Sequence, residues 1–359
     1  MLIHRTRHHM ISKQEQKSGD NSTNIQARDV SIGISYADAK LIALDVFEAN
    51  FLKLSEEAYK VGHERANNFT DAFLKNLSER NPQAIASTSD PDMQYALFTA
   101  QREYARSGDK ELSDVLVDIL VDRASHSERS LIQIVLNESL TTAPKLTVGQ
   151  FDVLSLVFIL KRIRRTYIGN LSEFAQHYLS SLVPFITPFI QELKNNSSIF
   201  PHLEYAGCGT VQISSIGIGD IFRQTYPGLF SKGMDKAKVD ELLMQGDLTQ
   251  EFIGICQHDN NLFQINALDK DTIEVECRKA GFDDAKTEKI SDLQDQYLMS
   301  SEEIETYIES ALPALVPLLD AWHNSPLRSF NLTSVGIAIA HANIRRKTQA
   351  NYDLSIWIK

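Results

Sequence analysis

The chain has few cysteines. Its 359 residues include only Cys208, Cys256 and Cys277, and no two of them form a Cys-x-x-Cys pair. This argues against a disulfide framework, and a reducing compartment fits. Long apolar runs are missing too. The best one, Phe151 to Leu160, is interrupted by Asp152 and closed by Lys161 and Arg162. It is about half of the roughly 20 residues that a spanning helix needs, so no membrane segment is expected and the expected location is cytoplasmic. The start, His4-Arg5-Thr6-Arg7-His8-His9, is basic but has no apolar stretch behind it, which excludes a secretory signal. Met10 is an alternative natural start to Met1.

Several catalytic patterns are absent as well. There is no G-x-G-x-x-G and no G-x-x-x-x-G-K-[S/T], and Gly217-Ile218-Gly219 lacks the lysine or serine a phosphate loop requires. His63-Glu64 does not begin a metalloprotease motif, because Asn67 stands where the second histidine belongs. No internal repeat is present. Positive charge is in deficit: the formal net charge is -11, which argues against a general polyanion binder.

What remains is an ordinary globular composition. Hydrophobic residues make up 43%, and the length suits two domains. Residues 1–17 read as disordered on polarity grounds. Residues 18–34 read as a β assembly tract. Asp20, Asn21, Ser22, Thr23, Asn24, Ile25 and Gln26 are polar and turn-rich, and Val30 to Ile34 alternate. A lone hairpin is marginal in water. The tract therefore packs on its own domain or pairs between subunits, for which Asn and Gln ladders are suited.

Residues 35–198 read as an α-helical domain. Ser35 caps a first helix of about 40 residues, with Leu44, Phe47, Phe51, Leu54, Ala58 and Val61 as a seam; it is either bent near Gly62 or a straight rod. Asp90-Pro91 opens another helix. Thr147 and Gln150 form a capping box ahead of the apolar helix. A further helix, Leu171 to Leu193, carries Pro184 and Pro188. Residues 199–359 read as an α/β domain. Strands are expected at Val211–Ile213, Leu262–Ala267, Asn331–Thr333 and Leu354–Ile358. A helix from a Ser300–Glu303 capping box is expected to run to Trp322, and another from Val335 to Lys347. The expected fold is thus mostly α with a smaller α/β part: an N-terminal β hairpin, a long-helix bundle and a C-terminal α/β domain.

The tract Gly19 to Gln26, the run Ser89 to Phe98, Tyr104 to Asp109, Leu116 to Arg123, Leu203 to Gly209 and Leu354 to Ile358 together resemble an uncharacterised bacterial family opening with a GDNSTNIQ-type tract. The layout also resembles alpha-type abortive-infection proteins, through the element Leu332-Thr333-Ser334-Val335-Gly336. The second resemblance implies a setting in anti-phage defence and transfers no catalytic residue.

Three constellations could carry chemistry. Asp114, Asp118 and Asp122 recur every four residues, with His126 one turn further. One helix face would then offer carboxylates and an imidazole to a divalent cation, or else be a solvated acidic face. His202, Cys208 and His258 could supply a thiolate and its base, or Cys208 could be a small buried hydrophobe on a turn. The basic clusters Lys161–Arg165 and Arg345–Lys347 close apolar helices, where the helix dipole favours cations without any ligand. Nucleic acid is the alternative partner.

The reading favoured is a non-enzymatic, oligomerising cytoplasmic protein of a bacterial anti-phage system. It has no cofactor, a homo-oligomeric state and a protein partner encoded by a neighbouring gene. A cysteine-dependent hydrolase using Cys208 with His258 or His202, and a nucleic-acid binder using the basic helix ends, are the alternatives.

Overall fold

Side-chain caps start most of the helices. The computed structural model describes residues 34–51, 55–126, 128–195 and 198–359. The expected tract from Asp20 to Gln26 and its hairpin lie outside the described residues, as does Leu54. Ser35 and Asp38 form a reciprocal capping box at the start of α1 (Tyr36–Asn50). The expected long helix breaks after Asn50, and α2 (Glu56–Arg80) begins beyond it. Gly62 is therefore no hinge. It lies inside α2, and the ring of Phe51 stands 2.9 Å from where its Cβ would be. That ring also stacks on Phe47 at 4.3 Å. The glycine opens a groove that receives the chain leaving α1.

Asp90 accepts from the backbone N–H groups of Asp92 and Met93 at the start of α3 (Pro91–Ser107), which ends at Gly108 with φ 66°. Asp109 caps α4 (Lys110–Ala124), and Ser130 caps α5 (Leu131–Thr142). The Thr147–Gln150 capping box opens α6 (Val148–Arg162), in which residues 149–160 are all buried. That is the signature of a central helix, enclosed on every side. Next, α7 (Leu171–Asn195) continues through Pro184 and Pro188.

The rest of the chain is also largely helical. In order it forms α8 (Ile199–Tyr205), β1 (Gly209–Val211), α9 (Ile218–Thr225), α10 (Lys236–Met244), β2 (Ile253–Ile255), β3 (Phe263–Ile265), α11 (Lys270–Lys279), α12 (Asp284–Gln296), α13 (Ser301–Ala311), α14 (Val316–Asn324), β4 (Phe330–Leu332) and α15 (Ser334–Thr348). Two antiparallel ribbons are its only sheets among the described residues. One pairs β1 with β4, Gly209 facing Leu332, and the other pairs β2 with β3, Ile253 facing Ile265. The protein is mostly α, with small sheets.

Three expectations need correction. The helix from Ser300 stops at Ala311, because Pro313 starts a short 3-10 turn before α14. The segment Leu354–Ile356 is a 3-10 turn and not a strand. Asp353 caps it, and Trp357 Nε1 donates to the Arg162 carbonyl at 3.1 Å. β2 was not expected; Gly254 in its middle weakens the strand pattern.

Helix α15 packs against α4, α5 and α6, so contacts cross the position near residue 198. The main buried cluster runs from Ala39 to Ile358. A smaller cluster, including Met234, Phe252, Ile273 and Ile290, lies under the second ribbon.

Candidate functional site

Cys208 lies on a tight turn after α8, with Gly207 at φ 77°. Its side chain is fully buried. Burial pushes the thiol up to about 12, against a small opposing pull from Lys145. Neither expected imidazole partners it. His202 Nδ1 meets the Gln150 amide at 2.9 Å, and His258 Nε2 meets the Leu229 carbonyl at 2.9 Å. The Leu332–Gly336 element is what holds this turn. Thr333 N–H donates to the Cys208 carbonyl at 3.1 Å, and its hydroxyl donates to the Gly207 carbonyl at 2.6 Å. The same hydroxyl accepts from Gly336 N–H at the start of α15. A Cβ on Gly336 would collide with the Cys208 carbonyl.

The acidic row on α4 faces cations. Arg80 bridges Asp118 at 2.7 Å and Asp122 at 2.6 Å, and Arg345 reaches Asp122 at 2.9 Å. Buried His341 stands 3.5 Å from Asp122. His126 does not join the carboxylates; its Nδ1 meets the Asp122 backbone carbonyl at 2.8 Å. Among the described residues, no group of three or more His, Cys, Asp or Glu is placed to hold a metal ion.

Most cations of the two basic clusters are engaged by the protein itself, although Arg162 and Arg164 are exposed. Lys347 meets Asp152 at 2.7 Å, and Arg346 binds the Asn343 side chain at 2.8 Å. Lys161 donates to the carbonyls of Arg328 and Phe330, Arg164 pairs with Asp269, and Arg165 lies 4.4 Å over the Tyr352 ring. The partners of these cations lie up to 195 positions away in the chain, beyond the reach of any local pattern.

A polar cleft of about 540 Å³ opens where α9, α13 and the end of α14 meet, a size suited to a small molecule. Close packing builds it. A side chain on Gly219 would collide with the Ser301 backbone, so this glycine lets α9 approach α13. Glu305, one turn after Ser301, then reaches back. One of its oxygens accepts from Gly219 N–H at 3.0 Å, and the other meets His323 Nε2 at 2.8 Å. The carboxylate is largely buried and fixed at both oxygens, so it orients the imidazole. Lys232 pairs with Glu303 at 2.9 Å. Arg223 and Arg328 also line the cleft, and neither guanidinium has a partner among the described residues. Asp220 shares the wall, and Leu298 is its apolar contribution. None of these residues was a sequence candidate. Glu305, His323 and Arg328 stand about a hundred positions from Gly219 and form no local motif, so only the fold assembles them.

A larger groove of about 890 Å³ runs beside Phe51, Val61 and Phe98. Its arginines are engaged: Arg65 donates to the Ala105 carbonyl at 3.0 Å, and Arg106 pairs with Glu103 at 2.6 Å.

The architecture is that of a mostly α-helical protein with a side-chain-built polar cleft. One family model, described only as ":-like", matches residues 33–358, and the chain belongs to that family. The matched span excludes the tract from Asp20 to Gln26. No curated protein and no solved structure matches the chain. No helix among the described residues is long and apolar enough to cross a membrane.

Proposed function

We propose that this is a non-enzymatic, self-associating protein whose C-terminal half recognises a small ligand bearing an anionic group. The observation that carries the reading is the pair Arg223 and Arg328. They line one cleft without partners, whereas the cations of the two sequence clusters are largely engaged by the protein itself. The hydrolase alternative is disfavoured by the Cys208 thiol, since burial raises its pKa and so disfavours the thiolate at neutral pH. A nucleic-acid surface is disfavoured because Lys347, Arg345 and Arg164 are neutralised by Asp152, Asp122 and Asp269.

Self-association is assigned to residues 19–34, a cytoplasmic location to the whole, and its output to a partner protein from a neighbouring gene. The anti-phage setting rests on the Leu332–Gly336 resemblance alone, and in the fold that element caps α15. Two measurements test the reading. Deleting residues 1–34 lowers the mass seen by light scattering while the helical circular dichroism signal stays; an unchanged mass removes self-association through this tract. In a thermal-shift screen of small anions, some stabilise the wild type and lose their effect with Arg328→Ala. A screen in which none does removes the cleft as a recognition site.

A further inference from the structure

Resting on the reading of the cleft as a ligand site, we infer that the ligand's anchor is a phosphoryl group carried by a small polyol-like molecule and not by a nucleotide. The donor set argues for phosphoryl. A carboxylate has two oxygens and is satisfied by a single guanidinium fork. This cleft offers two partnerless guanidiniums from different elements, Arg223 on α9 and Arg328 just after α14, with Lys232 and His323 beside them, each already bonded to a glutamate. Such a set suits three terminal oxygens carrying nearly two charges. Side chains do the holding, which agrees with the lack of a phosphate-loop pattern around Gly217 and Gly219.

The rest of the wall describes the rest of the ligand. Asp220, Glu302, Ser215 and Ser301 line the cleft; the carboxylates accept from hydroxyl groups and the serines accept from or donate to them. Apart from the His323 ring, no aromatic side chain lines it, so a nucleobase would have no stacking platform of the kind that base recognition uses. Leu298 is too little apolar surface for a lipid tail. Glu305, pinned by Gly219 and His323, acts as a positioning residue, because both of its oxygens are already hydrogen-bonded.

The test is calorimetric titration of the full chain with inorganic phosphate, glycerol 3-phosphate, glycerol, adenosine monophosphate and acetate. Inorganic phosphate and glycerol 3-phosphate bind, the latter more tightly, and glycerol does not. Arg223→Ala and Arg328→Ala each weaken phosphate by about tenfold or more, the loss expected of a charged hydrogen bond. Asp220→Asn moves the other way and tightens inorganic phosphate, because a like charge leaves the wall. Both arginines are exposed, so an unchanged circular dichroism spectrum separates lost binding from lost folding. No heat at millimolar phosphate, or affinities untouched by both arginine variants, overturns the inference. Acetate or adenosine monophosphate binding as tightly as glycerol 3-phosphate overturns its ligand class. If phosphate fails while another anion still stabilises the wild type and not Arg328→Ala, the phosphoryl assignment falls and the cleft remains a recognition site. If every anion fails, both fall.

Discussion

Lys347 donates to Asp152 at 2.7 Å inside the helical bundle, joining α15 to the central helix α6. Asp152 is fully buried and Lys347 partly so. Asn343 donates to the same carboxylate at 2.9 Å and to the Ser155 hydroxyl at 2.9 Å. Burial raises the Asp152 pKa, and the bonds from Lys347 and Asn343 oppose that rise without cancelling it. Removing one partner of such a pair leaves a stranded charge, which typically costs about 3–5 kcal/mol. Lys347→Met is expected to lower stability by that order in urea denaturation. The double variant with Asp152→Leu recovers most of the loss. A single variant as stable as wild type would mean that α15 is not locked to α6 by charge.

Asp118 gives a pH signature. Burial raises its pKa from 3.8 to about 6; Arg80 opposes the shift and Asp122 reinforces it. The folded state thus holds this proton more tightly than the unfolded state. Its contribution is fully present below about pH 4 and is lost as pH rises to about 6. Urea midpoints should decline over that window from this group, and Asp118→Asn should remove that decline. The same slope in wild type and variant would assign the window to other groups.

The caps and the apolar periodicities were legible in the sequence because they are local. Ser35, Asp90, Thr147 and Ser300 all cap helices where expected. The break between α1 and α2 falls ahead of the position expected near Gly62, because the seam pattern runs across it, and Gly62 marks a packing groove and not a bend. The terminal segment alternates like a strand, but Asp353 and Trp357 fasten it as a turn. The cleft was not legible at all. Arg223, Glu305, His323 and Arg328 are unremarkable singly and meet only because Gly219 admits α13.

The groove at Gly62 can be tested from both sides. Phe51 is half-buried and stacks on Phe47, so Phe51→Ala should cost about 1–3 kcal/mol, below the full cost of a buried phenylalanine. Gly62→Ala would push the ring from its seat, and the two changes together should cost less than their sum. Additive losses in thermal unfolding would mean that the ring does not occupy that groove.

Thr333 is placed to hold two elements at once. Its hydroxyl accepts from Gly336 N–H at 3.2 Å and donates to the Gly207 carbonyl at 2.6 Å. Thr333→Val keeps the shape and loses both bonds, so a destabilisation of about 1–2 kcal/mol is expected. Thr333→Ser retains the hydroxyl and should recover most of it. A valine variant as stable as wild type would mean that the two hydroxyl bonds do not hold these elements together.

Cys208 provides the sharpest contrast between a turn and a nucleophile. Its sulfur is buried, and the nearest acceptor, the Ala206 carbonyl, is 4.0 Å away. A thiol pushed up to about 12 is almost wholly protonated at neutral pH, and the thiolate is the form that reacts. Iodoacetamide should therefore modify Cys208 in the native protein far more slowly than in urea, as followed by peptide mass spectrometry. Cys208→Ala should leave any protective or toxic phenotype nearly intact. Fast native labelling would mean that the turn opens and exposes the thiolate. Loss of the phenotype with an unaltered circular dichroism spectrum would place the sulfur in the chemistry and restore the hydrolase reading.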